Sequence, residues 1–246
     1  MSEFEKDKKD MRDFLRLTFP DKKGEVEIVE RTDDYPVMYH ISTDSKIPEF
    51  TPRVAARSGG KVEDTTLPRI CVAPTLMDCY TGYGNALWDF EWGTKREDNF
   101  LGGYYVYALP YRLALKPSTQ LLSDVSKTNE HWLVGYSTKR FRYKPEIVAK
   151  TWVAEHKKTQ ANENKIHDFQ IYVEVYEGHS LRLTEDVVLT QGYWELTLQK
   201  QKHDVFWKVG SKYLSVKGLS KEAYFARKNV VVSLLSLEER PLSASW

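Results

Sequence analysis

The chain has 246 residues, and its 36 Lys plus Arg against 35 Asp plus Glu leave a net charge of +1. So even a balance excludes a global electrostatic pull toward nucleic acid or acidic membranes, and any basic footprint has to be local. An apolar share of 41% beside 29% charged residues excludes a disordered chain and fits one large domain, or a domain with an elaboration, around a sizeable core.

Met1 to Asp7 mixes both charges and carries no signal-peptide pattern. Residues 3–17 place Phe4, Met11, Phe14, Leu15 and Leu17 on a weak apolar stripe, which predicts a helix lying on something larger. A turn at Asp21-Lys22-Lys23-Gly24 leads to a strand over Val26–Val29. Pro36 to Ile41 reads as a short buried strand ending in the polar turn Ser42-Thr43-Asp44-Ser45. Small and polar residues mark 55–66 as a loop, and Arg69 to Ala73 is a second short strand. Pro74 is expected as the first helical residue, with Leu76, Met77, Tyr80 and Tyr83 at helical spacing and Gly82 and Gly84 ending the helix. Cys71 and Cys79, the two cysteines, lie eight apart in this unit with no CxxC and no flanking His pair, which argues against a disulfide framework and a structural zinc site.

Further strands are predicted over Tyr104–Leu109, Leu113–Leu115 and His131–Tyr136, the last entered through Asp124–Glu130. Beyond residue 140 the pattern turns largely antiparallel: a polar loop at 159–165, strands at 169–176, 181–189, 192–199 and 204–216, a helix over 219–227 and a last strand at 230–235. The organisation expected is an N-terminal helix and strand in 1–30, a core in 31–140 and a β-rich extension in 141–246, in a mixed α+β protein. No apolar run approaches the ~20 residues of a membrane span. The chain is therefore expected to be soluble and cytoplasmic, without a membrane partner. The 7 Trp and 15 Tyr suit an aromatic-rich β core and also binding surfaces.

GxxxxGK[ST], GxGxxG after a strand, HExxH, GxSxG and an EF-hand loop are all absent, which argues against nucleoside triphosphate hydrolysis, Rossmann dehydrogenation and zinc proteolysis. Chemistry is expected instead between Tyr39-His40 and Tyr83. His40 closes a strand, followed at once by Ser42 and Thr43; taken alone, it suits a structural histidine as well as a ligand contact. Arg69 enters a strand between Pro68 and Ile70, placed either to bind a phosphate or carboxylate bidentately or to pair with Glu63 or Asp64. Tyr80 and Tyr83 suit stacking on a base or plain core packing.

Tyr39-His40-Ile41-Ser42-Thr43 resembles the "YHGT" strand that opens ADP-ribosyltransferase domains. Arg69 to Tyr83 is similar in layout to that family's strand–loop–helix, and Asn129-Glu130-His131-Trp132-Leu133-Val134 resembles its strand-edge "NEYIVY". The resemblance spans residues 35 to about 136 and implies a split β-sheet core with NAD as substrate. His40 would hold the adenosine-side ribose, Ser42 and Thr43 the nicotinamide amide and Tyr80 or Tyr83 the nicotinamide ring, with Glu130 as the catalytic carboxylate; Arg69, on its own chemistry, would hold a phosphate. The chain departs from the family at Ile41, where glycine stands, and at Ile70-Cys71, where an aromatic stands. Cleavage at ribose C1′ passes through an oxocarbenium-like state that a carboxylate stabilises. The ADP-ribose acceptor would be a macromolecule or water, and no metal is called for.

Two other readings stand beside it. Lys139-Arg140-Phe141-Arg142-Tyr143-Lys144, with Trp132 and Trp152, interleaves basic and aromatic residues as a base N-glycosylase gripping unpaired nucleic acid requires, although a charge-protected edge strand has the same composition. A non-enzymatic binding protein, for example one acting in phage–host conflict, would use the Trp and Tyr richness as an interface.

Overall fold

A computed structural model describes residues 2–54, 63–82, 104–136, 143–161, 164–201 and 214–227. Helix α1, Glu3–Thr18, starts where the Ser2 hydroxyl accepts the Glu5 backbone N–H at 3.2 Å. Glu3 and Glu5 in its first turn and Arg16 in its last complement the helix dipole. Of its apolar stripe only Met11 and Leu15 are buried, so the helix is held along one line. A 3-10 turn, Pro20–Glu25, leads into β1, Val26–Glu30. There follow β2 (Val37–Ser42), β3 (Ile70–Val72), α2 (Leu76–Gly82), β4 (Tyr104–Pro110), β5 (Leu113–Pro117), the short α3 (Val125–Thr128) and β6 (His131–Leu133). The rest is β7 (Glu146–Ala161), β8 (Asn164–Arg182), β9 (Val188–Gln201) and β10 (Leu214–Leu219), with residues 221–227 helical. Helices accompany two antiparallel sheets, a mixed α+β architecture. No helix among the described residues is long and apolar enough to cross a membrane.

The chain divides into two compact units: Met1–Tyr83 with Val106–Ile147 and Arg182–Glu185, and Gly84–Tyr105 with Val148–Leu181 and Asp186–Trp246. In the first, one sheet runs in the order β1-β5-β6-β3, and β2 neighbours β4 in the other. One face of the β1-β5-β6-β3 sheet presents Ile28, Leu113, Leu115, Trp132 and Val134 to Met11 and Leu15 of α1 and to Leu121, Leu122 and Val125. Each such side chain contributes ~1.5–3 kcal/mol when fully buried, so this face anchors the site's framework. β2 meets β3 through a single antiparallel bridge, Tyr39↔Ala73, with N···O distances of 2.7 and 2.9 Å.

In the second unit, β7 and β8 pair from Ala149↔Val175 to Ala161↔Asn164, and β9 pairs with β10. Trp152, Tyr172 and Tyr224 form an aromatic cluster there, with Trp152 and Tyr224 edge to face at 4.8 Å.

Several expectations need correction. Within the polar stretch 159–165, the described residues 159–161 and 164–165 are paired strand, as at Gln160↔Lys165 and Ala161↔Asn164, because ladder hydrogen bonds there outweigh weak side-chain propensity. The strand expected over 181–189 is interrupted, since β8 ends at Arg182 and β9 begins at Val188. Pairing of β6 stops at Leu133, short of the expected Tyr136. Pro74 lies outside α2, whose first turn is capped by Thr75: its Oγ1 accepts the Asp78 N–H at 3.1 Å and donates to Asp78 Oδ2 at 2.7 Å. The strand expected at 230–235, the 204–213 portion of another and most of the 55–66 loop lie outside the described residues.

Candidate functional site

The β3–β6 ladder sets which side chains can meet. Cys71 faces Trp132 and Val72 faces His131, and opposite residues in an antiparallel pair project to the same side, alternating along each strand. Arg69, Cys71, Trp132 and Glu130 therefore share one face, and Val72 and His131 the other. On the first face the Arg69 side chain is wholly buried. Its Nη2 donates to Glu63 Oε1 at 2.9 Å, and its Nη1 donates to the backbone carbonyls of Asp64 at 2.7 Å and Leu67 at 3.2 Å. Asp64 Oδ1 lies 3.8 Å from Nη1, and the guanidinium stacks 4.2 Å from the Trp132 ring centre. Asp64 is itself fixed in a tight turn, its Oδ1 accepting the Leu67 N–H at 2.8 Å. Of the two roles open to Arg69, the structure shows the ion pair with Glu63 and Asp64.

Glu130 turns into the same buried face, where its Oε1 accepts Trp132 Nε1–H at 2.8 Å. Burial raises its carboxyl above the usual range, opposed by hydrogen bonds with Cys71 and Trp132 and by the Arg69 charge. The Cys71 thiol is pushed up strongly, first by burial and then by the neighbouring Glu130, which leaves it a poor nucleophile.

His40 reaches the same strand from its edge. Beyond the Tyr39↔Ala73 bridge β2 leaves β3, so the Cys71 carbonyl needs another donor, and His40 Nδ1 supplies it at 2.9 Å. A carbonyl only accepts, so Nδ1 carries the proton and Nε2 holds the lone pair. Burial pulls the His40 pKa down; the Cys71 hydrogen bond opposes this and the Arg53 charge adds to it, so the ring is neutral at pH 7. Phe50 meets the imidazole edge to face at 4.8 Å, and Tyr107 meets Phe50 at 5.4 Å. The Tyr107 hydroxyl donates to the Asp44 carbonyl at 2.7 Å and accepts the Ile47 N–H at 3.4 Å, tying down the turn after β2. In that turn Ser42 Oγ accepts the Asp44 N–H at 3.1 Å, and Thr43 is exposed.

Arg69 and Glu130 thus share a buried network, while His40 touches it only through the Cys71 backbone. Tyr80 is 1% exposed, a core residue of α2, and Tyr83 lies outside the described residues. The basic–aromatic reading also needs correction. Trp132 and Trp152 are buried, and so is Tyr143, whose hydroxyl donates to the Val134 carbonyl at 3.2 Å; none of these rings is open to stack on a base. Lys144 is exposed, and Arg140 and Arg142 lie outside the described residues. Among the described residues no group of three or more His, Cys, Asp or Glu is placed to hold a metal ion.

No family model, curated protein or solved structure matches this chain. The functional reading therefore rests on the geometry of His40 and its surroundings. Sequence reasoning missed Phe50 and Arg53 there. Both pair through the backbone with distant residues, Phe50 with Tyr143 and Arg53 with Arg69, as isolated bridges that no local periodicity signals.

Proposed function

We propose that the chain binds a nucleotide at the corner formed by His40, Ser42 and Thr43, and that it is an ADP-ribosyltransferase-like protein acting on NAD at the bond between ribose C1′ and the nicotinamide nitrogen. The observation that carries this reading is the state of His40. Its imidazole is neutral and fixed at Nδ1 by the Cys71 carbonyl, with Nε2 left to accept a hydrogen bond from a ribose hydroxyl. Such a fixed acceptor turns binding energy into orientation of the sugar, which an oxocarbenium-like cleavage requires. Incubating the protein with NAD, alone and with cell lysate, tests it. Nicotinamide release that is lost in His40→Ala supports the reading; the absence of both nicotinamide release and NAD binding sinks it.

A second reading, nucleotide binding without cleavage, is favoured by Glu130, whose carboxyl is engaged by Trp132 inside the core. NAD binding with no nicotinamide release would select it. Base excision from DNA or RNA is the weakest candidate, since its stacking rings at Trp132 and Tyr143 are buried.

A further inference from the structure

We propose that Arg53, beside His40, is the anion-binding residue of this site and takes a phosphate or diphosphate group of the ligand. This deepens the nucleotide reading and rests on it for the ligand's identity. A cation that recognises a phosphate needs a fixed backbone, a free guanidinium and a neighbouring hydrogen-bonding group. Arg53 has the first, since its N–H donates to the Arg69 carbonyl at 3.1 Å and the Arg69 N–H donates back to the Arg53 carbonyl at 2.8 Å. Those two bonds hold its Cα against the edge of β3.

It has the second as well. The Arg53 residue is exposed, and among the described residues no carboxylate pairs with it. Its bridge partner shows the contrast, for Arg69 is buried with Glu63 and Asp64 around it and has no room for an outside anion. The third is His40, whose Nδ1 bonds the Cys71 carbonyl two residues along the same strand edge on which Arg53 pairs with Arg69, with Nε2 facing away from that bond. A phosphate placed here draws on the Arg53 charge directly. Pyrophosphate alone, which brings no ribose hydroxyl to Nε2, also favours a proton on that nitrogen. Phe50, packed on His40, supplies an apolar wall for a ring or sugar attached to that phosphate.

The test uses inorganic pyrophosphate and, separately, NAD, titrated calorimetrically into the full chain. The wild type is expected to bind pyrophosphate with an affinity that falls as salt rises. Arg53→Ala is expected to weaken it about tenfold or more, and Arg53→Lys to restore part of the loss. Arg12→Ala, an exposed arginine on α1, is expected to bind as the wild type does. In a nitrogen-detected NMR titration, pyrophosphate should raise the His40 imidazole pKa in the wild type and leave it unmoved in Arg53→Ala, whose ligand-free His40 pKa should still lie below the ordinary histidine value, as loss of fold would not leave it. Equal binding by Arg53→Ala and wild type overturns the proposal, as does no pyrophosphate binding at millimolar concentration. Arg53-dependent pyrophosphate binding with no NAD binding keeps the anion site and removes the nucleotide reading.

Discussion

The buried face of the β3–β6 pair and the corner where β2 leaves β3 carry the same kinds of side chain in opposite states. On the face, Arg69 is held by Glu63 and Asp64, Glu130 by Trp132, and the ring of Trp132 lies under the guanidinium. At the corner, Arg53 is exposed, His40 uses one nitrogen of two, and Phe50 meets the imidazole edge to face. A chemically capable residue is therefore a weak pointer to function until its partners are known, because burial forces polar groups to satisfy one another. Arg53, exposed where β2 leaves β3, escapes that demand.

The comparison breaks most easily at Arg69. Removing one member of a buried ion pair leaves the other uncompensated, so Arg69→Met is expected to cost about 3–5 kcal/mol of stability, read from urea unfolding. A loss below about 1 kcal/mol would mean that the buried face does not depend on that pair. Tyr107→Phe removes the hydroxyl that binds Asp44 and Ile47, at an expected cost of about 1–2 kcal/mol. Faster amide exchange at Lys46 and Ile47 should accompany it, and unchanged exchange there would show that the turn holds without Tyr107.

Glu130→Gln sharpens the contrast between structure and chemistry. Glutamine keeps a carbonyl oxygen for Trp132 Nε1 and removes the charge, so stability is expected to stay within about 1 kcal/mol. Nicotinamide release that survives this change marks Glu130 as a framework residue. Release that vanishes from a folded variant would return it to the reacting groups and dissolve the distinction drawn between face and corner.

The smallest effect is on pH dependence. Burial lowers the pKa of both His40 and His131, so between the folded and unfolded values the unfolded chain binds more protons. Stability from these groups is whole above the ordinary histidine value of about 6.5 and is lost as pH falls below it. Glu130, shifted up, acts in the opposite sense, its contribution being lost as pH rises through its folded value. His40→Gln should therefore flatten the fall in urea midpoint between pH 7 and pH 5. An unaltered slope would show that His40 is not held neutral by the fold.

Much of the framework was legible without coordinates. Short apolar runs bounded by turn residues marked β2, β3 and α2, and Ser42 through Ser45 marked the turn after β2. The Thr75-Leu76-Met77-Asp78 spacing was a readable cap for α2 that Pro74 obscured. Glu63 and Asp64 were already visible as possible partners for Arg69. The long reach of β7 and β8 was not legible, since a run such as His156 to Gln160 carries little apolar alternation.

Propensity, capping and alternation act over a few residues, so where the elements lie and which residues have chemistry to offer can be read along the chain. Which of those residues are already engaged depends on how distant strands meet. One residue of register carries Glu130 to the face of Trp132 and His131 to the opposite one. One isolated bridge brings Arg53 from sixteen positions away to Arg69. Contacts of that kind depend on strands far apart in the chain, and no local pattern of residues encodes them.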